Sequence, residues 1–252
     1  MRKFSSSLYE SVLRSDGAGV YRIDRIHHIE SSRELTEVFG NFWSIIWGNI
    51  QAPNLPELSS GGIWRTGNGP TLLFLPPHSI FHWRLKAGVY KFKIWVSNEP
   101  VPPLLPQKAI FTPDTTSVFK EGRPIGPQKL EDAVSVILNR QTQFPAHKED
   151  NSNPISLRLK DLLDQNFDQS VKISDLAKII GVSSETLSRY FHSTYGISPI
   201  KYRSLKRLYS ALVRRYFFSE KVSKTMGHSG LNDLAHLGAE FKKAFGVSPS
   251  EI

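Results

Sequence analysis

The sequence predicts an α+β chain of two domains. The first is a small N-terminal β-barrel carrying a helix; the second is all-α, with two helix-turn-helix units joined by a long helix. Three observations predict this. A nine-residue phrase occurs twice near the C-terminus. Between residues 20 and 95, short apolar runs are separated by Gly, Pro and Asn at close intervals, the pattern of a small sandwich or barrel. All five Trp fall in that same stretch, at 43, 47, 64, 83 and 95.

The phrase runs from Phe191 through Tyr195-Gly196-Ile197-Ser198 to Pro199, and returns from Phe241 through Phe245-Gly246-Val247-Ser248 to Pro249. The copies start fifty residues apart. An aromatic-ended helix stops at a Gly able to take the left-handed conformation. Ser then caps a new helix, and Pro takes its first position, where a missing N–H costs nothing. In the second copy Glu251 stands three residues past Ser248, as in a capping box. A repeat at fixed period implies repeated architecture. Ahead of each phrase lies a turn glycine, Gly181 at 18 residues before Pro199 and Gly230 at 19 before Pro249. The first unit, about 173–191, places Ile173, Leu176 and Ile180 on one helical face and Leu187 and Phe191 on the next. Ala177 is small where the two helices must cross. A second unit is expected over about 222–245.

The chain has 252 residues, a net charge of +9 and a pI near 9.7. This favours a polyanionic partner without proving one. There is no Cys, hence no disulfide framework or thiol chemistry. Met1 to Gly17 lacks the apolar core of a signal peptide, and no apolar run is long enough for a bilayer, so a cytoplasmic protein without membrane partners is expected.

In chain order, residues 1–19 are Ser-rich and expected to be poorly ordered. Residues 20–144 form the first domain. Tyr21 to Ile26 alternates as a half-buried strand does; Phe42–Trp47, Ile63–Thr66, Leu72–Leu75, Phe81–Leu85 and Tyr90–Val96 complete the set. Trp43, Trp47, Trp64, Trp83 and Trp95 are read first as barrel core and second as the lining of a ligand pocket. His28, His78 and His82 invite a metal reading. However, no carboxylate lies between Pro76 and Tyr90, and no metal site or other cofactor is expected. Seven prolines between 100 and 127 forbid long elements there. A helix is expected over Gln128–Gln143, with Leu130, Val134, Ile137 and Leu138 as its stripe. Residues 145–152 read as a polar linker. The second domain, 153–252, opens at Asn153-Pro154, a cap followed by proline. Its long helix, about 199–218, has Ile200, Leu205, Leu208, Tyr209, Leu212, Val213 and Tyr216 on an apolar side. Lys201, Arg203, Lys206, Arg207, Arg214 and Arg215 form its polar side.

Over 153–252 this layout resembles the AraC/XylS family of bacterial transcription regulators. The features that carry the resemblance are the two Gly-to-Pro spacings, Leu176-Ala177, Leu187-Ser188-Arg189 with Phe191, and the closing Phe-x-x-x-Phe-Gly-Val-Ser-Pro. Gly69 to His78 is similar, more loosely, to a strand-into-Pro-Pro segment of the family's cupin-like effector or dimerisation domain. The resemblance implies two recognition helices set into successive major grooves on one face of the DNA. By position it assigns base reading to Glu185, Ser188 and Arg189. Ser184, His192, Asn232, His236, Lys242 and Lys243 are left for backbone or secondary contacts. Arg189 would read guanine through both guanidinium nitrogens; its other reading is a salt bridge or a phosphate contact. The second unit departs from the family pattern, with Leu234, Ala235, Gly238 and Ala239 where polar or basic residues are usual, so the first unit is expected to dominate base readout. Gly227 is expected to weaken the first helix of that unit.

The expected function is therefore a sequence-specific DNA-binding transcription regulator, an activator. Its implied partners are double-stranded DNA and RNA polymerase, with a small-molecule or protein effector at the N-terminal domain and room for a homodimer. Two other readings stand beside it: a co-regulator whose second unit serves protein interaction, and a metal-dependent cupin enzyme. No Ser/His/Asp array, P-loop or dinucleotide fingerprint supports an enzyme.

Overall fold

The structure is a computed structural model that describes residues 2–6, 9–17, 20–50, 55–60, 63–66, 69–97, 109–113, 153–231 and 233–251. The helix expected over Gln128–Gln143, the linker 145–152 and Asn232 lie outside the described residues. The chain divides into two compact units, the first built from 1–59 and 64–146 and the second chiefly from 147–252. No helix among the described residues is long and apolar enough to cross a membrane.

The first unit holds strands β1 (Arg2–Ser5), β2 (Tyr9–Gly17), β3 (Val20–Ile29), β4 (Arg33–Val38), β5 (Trp43–Ile50), β6 (Glu57–Ser60), β7 (Ile63–Thr66), β8 (Gly69–Leu75), β9 (Ile80–Leu85), β10 (Gly88–Ser97) and β11 (Ile110–Pro113). They form two sheets, ordered β1-β2-β3-β10-β5-β8-β11 and β4-β9-β6-β7. The chain passes back and forth between the sheets, so that β10 lies between β3 and β5. β10 pairs antiparallel with β3 from Gly88 opposite Ile29 to Ser97 opposite Val20.

The part of the large sheet made by β5 and β8 is apolar on both faces. Ile46, Leu73, Phe92 and Ile94 line the cavity between the sheets together with Trp83 of the small sheet. The opposite face carries Trp43, Ile45, Trp47, Leu72, Phe74 and Trp95, all buried. This double burial explains why β5 and β8 read as continuous apolar runs and not as alternating ones. β5 extends past the apolar run Phe42–Trp47, its pairing with β8 continuing to Ile50 opposite Gly69.

The expectation of a poorly ordered N-terminus is corrected. Residues 2–5 and 9–17 are strands, β2 pairing with β3 from Tyr9 opposite His27 to Gly17 opposite Val20. Ser-rich composition concealed a real alternation, with Ser11 and Leu13 buried. The partner strand supplies the order that the segment's own composition does not. β4 was missed for a related reason. Leu35 and Glu37 both turn inward, and Glu37 accepts from Trp83 Nε1 at 2.9 Å and pairs with Arg25 at 3.4 Å.

The second unit holds α1 (Pro154–Gln165), α2 (Ile173–Ile180), α3 (Ser184–Tyr195), α4 (Pro199–Tyr216), α5 (Val222–His228), α6 (Leu234–Phe245) and a closing 3-10 turn, Pro249–Glu251. The helices expected between 153 and 245 are present, and the start expected after Ser248 is a 3-10 turn. Asn153 accepts from the Ile155 amide at 2.9 Å, with Pro154 at the first position of α1.

His27 gives the first unit a pH signature. It is 7% exposed and stands edge-on to Phe92 at 5.6 Å. Burial, reinforced by Arg25 and Arg33, lowers its pKa from 6.5 to about 3. Below 6.5 the unfolded chain therefore takes up a proton that the folded chain refuses. Stability is predicted to fall as pH drops from 6.5 toward 3, with a slope of up to about 1.4 kcal/mol per pH unit from this one group. Denaturant midpoints measured across that range should show the slope diminished in His27→Leu.

Candidate nucleic-acid interface

The two helical units repeat in three dimensions at the fifty-residue offset of the sequence. Leu187 and Phe191 of α3 are 0% exposed, and so are Leu237 and Phe241 of α6. α3 ends at Gly196 with φ 71° and α6 at Gly246 with φ 78°. Their amides return to His192 O at 2.8 Å and Lys242 O at 2.7 Å. After the first, Ser198 accepts from the Lys201 amide at 3.2 Å to start α4. After the second, the Ser248 amide donates to Glu251 Oε2 at 2.6 Å, the reciprocal half of a capping box.

With the apolar side of α3 turned inward, spacing sets what faces out. Glu185, Arg189 and His192 are exposed and Ser188 is half-exposed, at intervals of three and four that make one stripe. Ser183 caps this helix, accepting from the Thr186 amide at 3.2 Å, while Ser184 is half-buried in its first turn. Glu185 stays ionised at this positive helix end. Its own amide, then the Ser183 hydroxyl, hold its carboxyl below the usual range. The Arg189 guanidinium lies 5.4 Å from the ring of Tyr190.

The equivalent stripe on α6 is Ala235, Gly238, Ala239 and Lys242. Three of these four have no side-chain hydrogen-bonding group. Asp233 spends its carboxylate on the cap, accepting from the amides of Ala235 at 2.8 Å and His236 at 3.2 Å. His236, Lys242 and Lys243 are exposed. α5 forms despite Gly227 but runs only seven residues. Thr225, Arg214 and His228 converge on Glu220 beside it, with His228 Nδ1 2.9 Å from Glu220 Oε1.

The polar side expected for α4 is corrected. Lys206 is 2% exposed, not solvated, and is bonded to Asp164 of α1. Tyr202 donates to the same carboxylate, and Lys160 joins it at 2.8 Å. Burial lowers Lys206 to about 8 against the pull of Asp164. Burial pushes Asp164 upward, but Lys160 and Lys206 outweigh it and hold the carboxyl below its usual range. Arg203 donates to Val171 O, and Arg207 to Phe167 O at 2.6 Å and Gln169 O at 2.8 Å. Arg215 donates to Pro249 O at 2.8 Å and to Glu220 O. Ile200, expected on the apolar side, is 64% exposed. Much of this helix's positive charge therefore fastens the fold. Sequence reasoning missed Asp164 and its partners; the one signal was the Lys160–Asp164 pair at four-residue spacing within an amphipathic helix.

The five tryptophans do not line one cavity. Trp43, Trp47 and Trp95 share the face of the large sheet turned away from the small sheet. Trp83 lies between the sheets, 5.4 Å from Phe92. Trp64 is half-buried on the far side of the small sheet, with Arg84 3.8 Å over its ring. Among the histidines, His82 Nδ1 is 3.0 Å from Thr36 Oγ1. His78 occupies a turn with φ 61°, and His28 lies 4.0 Å from Glu10. No cluster of three or more potential metal ligands occurs among the described residues.

Comparison with known proteins adds three findings. Residues 176–252 match the model of a helix-turn-helix domain family. The "Probable thc operon regulatory protein" of Rhodococcus erythropolis is 30% identical over 94 residues, which is 36% of this chain and 28% of that protein's length. The structure of ToxT from Vibrio cholerae with a bound unsaturated fatty acid matches with a TM-score of 0.58, covering 94% of this chain and 96% of that one. A second ToxT structure matches at 0.57 over 97% of each chain. At 11% identity the likeness to ToxT is one of fold.

The buried carboxylate yields a prediction. Asp164→Ala leaves Lys206 buried without its counter-charge, which costs about 3–5 kcal/mol when one partner of a buried pair is removed. Helical ellipticity should melt at markedly lower temperature. The double variant Asp164→Ala with Lys206→Met should recover part of the loss.

Proposed function

We propose that residues 176–252, which match a helix-turn-helix domain family, are an AraC-type DNA-binding domain, and that the chain is a sequence-specific transcription activator that reads DNA chiefly through α3. The observation that carries this reading is the contrast between the two exposed stripes. Glu185, Ser188, Arg189 and His192 all carry hydrogen-bonding groups on one open helical face. A helix of this size fits the major groove, where base edges differ in their donors and acceptors. Arg189 matches the two acceptors of guanine, and Glu185 can accept from the cytosine amino group. Ser184 and the exposed His192 stand at the ends of the stripe, where phosphates pass.

On α6 the reading is different. Ala235 and Ala239 offer only apolar contact, and Lys242 and Lys243 offer charge to phosphate. The second unit thus adds affinity and register more than base discrimination. RNA polymerase enters as the partner that an activator requires. A small-molecule effector belongs to the first unit. The space between its sheets, lined by Arg25, His27, Glu37, Trp83 and Phe92, is the place that offers polar groups within apolar walls. The fatty acid bound in ToxT is a precedent for a fold-mate taking a small molecule. A second reading, a co-regulator that uses α6 for protein contact, is favoured by Ala235, Gly238 and Ala239, which carry no hydrogen-bonding side chain on that helix's outward stripe.

Binding to duplex from upstream of the chain's own gene, against random duplex, tests the proposal across a salt series. Tight selective binding at physiological salt is expected. Arg189→Ala should lose about 1–3 kcal/mol of discrimination, roughly five- to 150-fold, without changing the salt slope much. Steep salt dependence with no preference between duplexes would point to the co-regulator. Intact preference in Arg189→Ala, with preference abolished in Ala235→Arg, would place the readout on α6.

A further inference from the structure

Gly181 and Gly230 are equivalent turn glycines of the two units, and both have positive φ, 86° and 64°. Their surroundings differ. A Cβ on Gly181 would meet nothing within 4 Å. A Cβ on Gly230 would overlap the main chain of Asp168, whose carbonyl carbon and Cα would both lie 2.5 Å away and whose oxygen would lie closer still. Asp168 belongs to the segment 166–172 between α1 and α2, so the turn of the second helix-turn-helix unit rests directly on the segment that leads into the first. The segment it rests on is itself tied to the linker helix. Arg207 donates to Phe167 O and Gln169 O, the carbonyls on either side of Asp168, and Arg203 donates to Val171 O.

We infer that Gly230, Asp168 and Arg207 form a joint that locks the two helix-turn-helix units at one separation, making Gly230 a positioning residue for two-site recognition. A single linker helix is a weak constraint on the second unit, since one end can bend or twist. A third point of support removes that freedom. The main chain of Asp168 supplies it, and only a residue without a side chain permits the approach. At DNA this inference rests on the proposed function: a rigid pair accepts half-sites only at one spacing, near a single helical turn of about 10–10.5 base pairs. Glycine at 181 serves its backbone conformation alone; glycine at 230 serves conformation and clearance together.

The chain has no Cys, so two introduced thiols can carry spin labels without competition. Ser193→Cys and Lys243→Cys mark equivalent exposed positions on the two recognition helices. Pulsed electron–electron distance measurement on the full chain, without DNA, should give one narrow peak. Gly181→Ala in the labelled background should keep it narrow; Gly230→Ala should broaden it severalfold. A narrow peak in Gly230→Ala, or a broad one in the parent, overturns the joint. If Gly230→Ala loses helical ellipticity, Arg207→Gln decides, broad for the joint and narrow against it. Selection from a pool of random-sequence duplexes completes the test. The parent should recover paired sites at one spacing, and Gly230→Ala the same half-sites at scattered spacings. Failure of the parent to recover any sequence would remove the DNA reading and leave the label distances to judge the joint alone.

Discussion

The helical unit depends on one buried carboxylate. Asp164 sits on α1 and gathers Tyr202 and Lys206 from the long helix and Lys160 from its own. A carboxylate in such a place is tolerable only while its partners satisfy it, and a buried lysine only while the carboxylate remains. Each therefore requires the other, and together they fix α1 against α4. Arg203 and Arg207 extend the same fastening to the main chain beyond α1, and Arg215 repeats it near the C-terminus. The high net charge of this chain is thus two populations. One is internal and holds carbonyls and carboxylates. The other, including Arg189, Lys242 and Lys243, is exposed and open to a polyanion.

On this frame the two units share a skeleton and differ in chemistry. Leu187 with Leu237, and Phe191 with Phe241, do the same packing at the same offset. Each of these two helices ends in a left-handed glycine. Packing is demanding, so the repeat is retained where side chains turn inward. The outward stripe is under no such demand, and it is there that Glu185, Ser188 and Arg189 correspond to Ala235, Gly238 and Ala239. The division of labour between the units follows from where the repeat is kept and where it is lost.

The first unit obeys a different constraint. Its large sheet has buried residues on both faces, and its tryptophans are spread over more than one of them. The polar groups in its interior come from strands whose sequence advertises little. Glu37 lies in a charged strand, and His27 and Arg25 lie on the strand that pairs with the serine-rich β2. Their burial is affordable because they hold one another or an aromatic edge, as Glu37 holds Arg25 and Trp83.

The sequence by itself determined the helical half: its helices, the caps at Asn153, Ser198 and Ser248, the turn glycines and the inward side of α3. These are local properties, written in 3.6-residue periodicity and in the few residues able to end or begin a helix. The strong apolar strands were legible for the same reason. Only the tertiary structure decided the rest. It alone ordered β1 and β2, whose regularity comes from a partner strand. It alone placed Lys206 inside, because a lysine's spacing on a helix does not reveal an aspartate forty-two residues earlier. It alone separated Gly181 from Gly230, since both meet the same backbone requirement and only the neighbouring chain distinguishes them. Local sequence specifies conformation; which groups are brought together across long separations is set by the packing of whole elements.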